Sequence, residues 1–243
     1  MAAREQLAKV ITDLPSGVVR WASAPTEEIP RLSSGMPALD GILGGGWPRG
    51  RICSVRTDAL FSTGRTSLAA HTVTAASRQG LLTAWIDGNA SLDPASLRAG
   101  GADLERILWV RGPLSFGQSL TAAEEVLRAG GFEVIVVRTA GRRRSFKPGR
   151  RRGESRTAAW IRLSRAVERG RSVLLALSDG TPDAIPGSVP LKVDTSRSRW
   201  AGTPGLSSLL LGTGVRVEMD GTGVDLETVA MEMLQIGTFR AAL

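Results

Sequence analysis

The sequence predicts an α/β fold with a mostly parallel central sheet, flanked by helices and carrying an antiparallel extension near the C-terminus. Three observations carry this. Strand-like and helix-like segments alternate through the middle of the chain, and parallel neighbours need such crossovers. One strand candidate, "FEVIVVR" at 132–138, is a near-continuous apolar run of the kind buried on both faces, and "SVLLALS" at 172–178 reads as a further strand. Near the C-terminus the strand-like stretches "LKVDT", "LSSLLL" and "VRVEM" follow one another without helices, and the "GTG" and "DGTG" turns suggest hairpins.

Taken in order, "REQLAKVITDL" places Leu7, Val10, Ile11 and Leu14 at i, i+3, i+4 and i+7, one stripe of a helix that Pro15 and Gly17 end. That stripe either covers an edge of the core or docks on another chain. Met36, Leu39, Ile42 and Leu43 form a short helical pattern, followed by a Gly-rich turn in which Trp47 is open to exposure. "RICSVR" reads as a strand, and "RTSLAAHTVTAASRQG" as a helix starting near Thr66. "LLTAWID" is a strand, Asp93-Pro94 lies in a loop, and "RILWVRG" is a further strand. "SFGQSLTAAEEVLRAG" reads as a helix, as does "TAAWIRLSRAVERG", with Trp160, Leu163 and Val167 inward. A last helix, "DLETVAMEMLQ", puts Leu226, Val229, Ala230, Met233 and Leu234 on one stripe, which caps the core or docks a partner. The division this suggests is a helix and linker at 1–30, a core at 31–221, and a helix with its tail at 222–243.

With 243 residues and 42% hydrophobic content, the chain can bury one sizeable core. No apolar run approaches the ~20 residues that span a bilayer, and "MAAREQLAKV" lacks the apolar centre of a signal peptide. The single cysteine, Cys53, cannot form an internal disulfide and sits in an apparent strand. It reads as a buried, inert thiol in a reducing compartment. These features predict a cytoplasmic protein, nucleoid-associated if it touches DNA. His71, the only histidine, falls inside a helix without a Ser/Asp partner pattern and reads as packing.

"FSTGRTSL" at 61–68 is one substitution, Arg65 to Lys, from the end of a phosphate loop. Such a loop uses glycines to bring backbone N–H groups onto phosphates, a Lys to reach the terminal phosphates, and a Ser/Thr hydroxyl to hold Mg²⁺. Ser62, Thr63, Gly64 and Thr66 suit it; Ala59 stands where the first glycine belongs, and Arg65 where the lysine does. Asp87 ends a strand, where an acid serves either a loop start or a metal.

The surrounding segments resemble the RecA recombinase family over about residues 30–220. "LSSGMPALDGILGGGWPRGRICSV" is similar to the stretch leading that core into its phosphate loop. "TAWIDGNASLDP" resembles its second core strand, "FEVIVVR" its Walker B strand, and "PLKVDTSRSRW" a late core strand ending in basic residues. The resemblance implies a RecA-like core. It places the metal-holding acid at Arg138 and the water-activating acid at Asn89, so Arg65, Arg138 and Asn89 all depart from the catalytic pattern. At ~4 Å and an effective dielectric near 20, a cation at 138 repels a metal by several kcal/mol. The resemblance thus implies a non-catalytic chain that needs neither ATP nor a metal, although an arginine at 65 still has the reach to touch a phosphate. The short "DGTPDAIPG", where the family carries its second DNA-binding loop, argues against strand exchange.

Within that family the short length, the degenerate loop, the missing acids and "SRSRW" resemble the ImuA family of RecA-like accessory proteins. This implies a role in SOS-induced translesion synthesis. The implied partners are a RecA-type recombinase, an inactive Y-family polymerase homologue and an error-prone replicative-type polymerase. A DNA-dependent ATPase with a variant loop, or an SOS inhibitor of cell division, are the alternatives.

The chain's net charge is +8, and residues 142–156, "RRRSFKPGRRRGESR", hold eight basic residues against one acid, +7 of that total. This Gly-, Pro- and Ser-containing segment follows the Walker B-like strand, where the family contacts DNA. Arg142, Arg143, Arg144, Lys147, Arg150, Arg151, Arg152 and Arg156 suit phosphates, and Phe146 suits stacking on an unpaired base. Single-stranded or primer-template DNA, an acidic protein surface, and a merely solvated loop all fit the charge.

Overall fold

The computed structural model describes residues 29–57, 64–88, 90, 92–139, 155–178, 185–203 and 207–228. Its centre is an eight-stranded sheet built from β3 (Arg51–Arg56), β4 (Leu82–Asp87), β5 (Ile107–Arg111), β6 (Phe132–Thr139), β7 (Val173–Ser178), β8 (Val189–Thr203), β9 (Ser207–Met219) and β10 (Thr222–Thr228). The spatial order is β10-β9-β8-β3-β7-β6-β4-β5. All pairings from β8 to β5 are parallel, and β9 and β10 join antiparallel. The predicted fold class holds. A two-stranded ribbon, β1 (Arg31–Leu32) with β2 (Trp47–Pro48), stands apart.

Helices cover both faces because the apolar runs present side chains to both. In β6, Val134 and Val136 enter one buried cluster while Ile135 and Val137 enter the other. The first cluster lies under α1 (Pro37–Ile42), α2 (Arg65–Arg78) and α3 (Pro94–Ala99), through Leu39, Leu68, Val73 and Leu97. The second lies under α4 (Phe116–Ala129) and α5 (Arg156–Gly170), through Leu120, Leu127, Trp160 and Leu163. Each fully buried Val, Leu or Ile stabilises the fold by about 1.5–3 kcal/mol. The α4 N-terminus is fixed by a capping box, in which the Ser115 hydroxyl accepts from Gln118 N–H and the Gln118 side chain accepts from Ser115 N–H.

Four local expectations need correction. Trp47 is fully buried rather than exposed, and its indole N–H donates to Thr72 Oγ1 at 3.0 Å. Asp93-Pro94 opens α3: the Asp93 carboxylate accepts from the N–H groups of Ala95 and Ser96, and Pro94 sits where no helical N–H is needed. "GTG" at 212–214 is no turn, since β9 runs straight through it. The helix expected from 225 begins instead as strand β10, paired with β9 through a turn in which Asp220 and Gly221 have φ of 48° and 79°. Two central residues in that region make the tight two-residue hairpin. Leu226 meets the core from a strand opposite Val215, so the boundary predicted at 222 cuts through the sheet; residues 229–243 lie outside the described residues.

Candidate nucleotide-binding site

The parallel strands place their C-terminal ends along one edge, where open α/β sheets bind ligands. Register fixes the order of side chains there: Arg111 of β5, Asp87 of β4, Arg138 of β6 and Leu177 of β7 are successive Cα partners. By the two-residue period of a strand, Arg138 shares its face with Val134 and Val136, Asp87 with Trp85, and Arg111 with Trp109. These neighbours pack in the α2-side cluster, so two arginines and the acid between them lie on the face of the sheet that carries α2.

Helix α2 starts at the candidate loop. Gly64 caps it with φ 78° and ψ −1°, a conformation that costs a glycine little and an L side chain more. A Cβ there would come within 3.0 Å of Val215 on β9. Eight residues, Thr57 to Gly64, separate β3 from α2, against six in the strand–GxxxxG–helix pattern. Thr57 is buried, and its hydroxyl donates to Asp194 Oδ1 at 2.9 Å, while Lys192 Nζ lies 3.3 Å from Asp194 Oδ2. The exit of β3 is thereby tied to β8.

The guanidinium of Arg138 donates from Nη1 to Thr66 Oγ1 at 3.4 Å. Thr66 is the hydroxyl that the phosphate-loop pattern assigns to Mg²⁺. Asp87 is fully buried, and its Oδ2 accepts the N–H of Leu92 at 2.9 Å, which shapes the turn after β4. Asp87 thereby holds the start of the loop after β4. Among the described residues no group of three or more His, Cys, Asp or Glu is placed to hold a metal. The residues present do not fit the Mg²⁺ that phosphoryl transfer on such a loop requires: the hydroxyl faces a guanidinium, and the strand end that should carry an acid carries a permanent cation.

Gly64, Arg65, Thr66, Asp87 and Arg138 are thus brought to one edge, while Ser62, Thr63 and Asn89 lie outside the described residues. Of the predicted DNA-contacting residues, Arg142, Arg143, Arg144, Phe146, Lys147, Arg150, Arg151 and Arg152 also lie outside them, as does the stripe Leu7, Val10, Ile11, Leu14. Arg156 is among the described residues. It is the first residue of α5, and its guanidinium lies 4.8 Å from the centroid of the Phe116 ring, which in turn meets Trp160 edge-on at 5.9 Å. Sequence reasoning missed Val215, Asp194 and Arg111. The first two come from strands far along the chain and left no local signal. Arg111 follows an apolar run as Arg138 does, and that parallel was the available clue.

Cys53 sits inside β3 with its thiol pushed up to about 12, chiefly by burial and slightly offset by Arg31, in keeping with an inert core residue. No helix among the described residues is long and apolar enough to cross a membrane.

Residues 4–142 match the RecA N-terminal domain family. The chain is 36% identical over 121 residues to Protein RecA of Gluconacetobacter polyoxogenes, covering 49% of this chain and 34% of that protein. Against Protein RecA of Treponema denticola it is 40% identical over 107 residues, covering 44% and 25%. Against Protein RecA of Clostridioides difficile it is 34% identical over 138 residues, covering 56% and 39%. The matched stretch thus spans between a quarter and two fifths of these relatives' length. The family match covers the phosphate-loop region, β4, β5 and the whole of β6, leaving only β7 of the edge described above outside it, and with more than half of its length matched the chain belongs to the RecA N-terminal domain family.

Proposed function

We propose that this protein is a non-catalytic RecA-family accessory factor that acts in DNA damage-induced translesion synthesis by holding other molecules together. Its partners on this reading are a recombinase filament, an inactive Y-family polymerase homologue and an error-prone polymerase, with single-stranded or primer-template DNA contacted by the 142–152 segment. The family placement supports the recombinase-related setting, and the resemblance to ImuA supplies the partners. The observation that carries the non-catalytic part is Arg138 on Thr66: the strand end that should attract a metal repels one.

The reading predicts no ATP turnover by the purified chain with Mg²⁺ and single-stranded DNA, together with capture of the protein by a RecA filament. DNA-stimulated hydrolysis would replace it with the variant-loop ATPase. Capture that survives conversion of Leu7, Val10, Ile11 and Leu14 to Ser would move the docking surface away from the N-terminal stripe.

A further inference from the structure

We infer that Arg138 is the resident cation of this pocket: its guanidinium bridges the end of β6 to the first turn of α2, the place a metal takes in a working site, so the pocket takes no Mg²⁺. The inference rests on the family placement and not on the accessory reading.

Three features converge. Strand periodicity sends Arg138 to the face that carries α2, and its Nη1 reaches the Thr66 hydroxyl at 3.4 Å. The buried Asp87 is its Cα partner on the adjacent strand, so a carboxyl group stands beside it in register. Arg111 holds the position on the other side of Asp87, stacked 5.2 Å from the Trp109 centroid. The edge therefore carries Arg111 and Arg138 on either side of Asp87, with Arg65 at the start of α2. A guanidinium stays protonated throughout the accessible pH range and cannot be chelated. A bridge that in a working site comes and goes with metal and nucleotide is here covalently part of the chain. The join between the phosphate-loop helix and the strand that leads into the basic segment therefore needs neither metal nor nucleotide.

Thermal unfolding of the full chain in EDTA and in millimolar MgCl₂, with and without ATP, tests this directly. The wild-type midpoint is expected to be the same in all four conditions. Arg138→Met and Thr66→Val should each lower it by about 2–4 °C. The double variant should fall by less than the sum of the two, because both remove the same contact. A wild-type midpoint that rises with Mg²⁺ would overturn the inference. So would additive effects of the two substitutions, or none from either. ATP hydrolysis measured in parallel separates this claim from the accessory reading. Turnover that persists in EDTA ends the accessory reading alone, and Mg²⁺ stabilisation without turnover ends this inference alone.

Discussion

Val215 on β9 covers Gly64 at the start of α2, so closely that a Cβ on the glycine would lie within 3.0 Å of its side chain. Gly64 also holds φ 78°. Gly64→Ala therefore meets two penalties, a left-handed L-residue and an overpacked contact, together about 2–4 kcal/mol. Val215→Ala removes the second penalty only. In urea unfolding, Gly64→Ala should be partly rescued by Val215→Ala, and a simple sum of the two losses would show that the contact is absent.

The basic segment and Arg156 should separate experimentally. Converting Arg142–Arg144 and Arg150–Arg152 to Ser should abolish salt-sensitive binding to single-stranded DNA, since each phosphate contact adds about 0.7 to the slope of log affinity against log salt. Binding that keeps its slope in that variant would place the DNA site elsewhere.

Arg156 instead lies over the Phe116 ring. Arg156→Gln should lower stability by about 0.5–1 kcal/mol through loss of the cation–π contact. Its salt slope for DNA should match wild type. A slope reduced by a full phosphate contact, with stability unchanged, would return Arg156 to the DNA surface.

Cys53 gives a pH prediction with a definite sign. Its thiol is raised from 9.0 to about 12 in the folded chain, mainly by burial. The neutral form is favoured in the fold, so the contribution is fully present below pH 9 and fades as pH rises through 9 to 12, at about 1.4 kcal/mol per pH unit. The chain has no tyrosine to titrate in the same window. Cys53→Ala should unfold less steeply with pH above 9 than its parent. Native protein at pH 8 should resist a thiol reagent until denatured, and prompt native labelling would mean the strand opens.

Much of the sheet could be read directly from the chain, because "FEVIVVR" leaves a strand buried on both faces as the only economical placement and "SVLLALS" reads as a strand after a helical stripe. The C-terminal part was harder. Leu226 fits both a helical stripe and a strand face, and the deciding signal was Asp220-Gly221, a two-residue turn that throws the chain back along β9. Trp47 was misread because three preceding glycines suggested a free turn, whereas its indole lies under α2 on Thr72. At the site, Arg138 was placed by motif order alone. Its contact with Thr66 is tertiary, set by which face of β6 looks toward α2, and no local pattern encodes that.

The position of β3 has a consequence for how the chain reaches this shape. Its neighbours in the sheet are β7 and β8, which begin at Val173 and Val189, while β3 itself ends at Arg56. During synthesis the middle of the sheet stays open until the last third of the polypeptide has emerged, because until β7 is made β4, β5 and β6 have only one another to pair with. Closing that gap joins segments far apart along the backbone, a slow step that leaves apolar strands uncovered while it waits. A fragment ending near residue 142, although it spans the whole family match, would carry β3 with neither of its strand neighbours and should be recovered from cells mainly with chaperones or in aggregates.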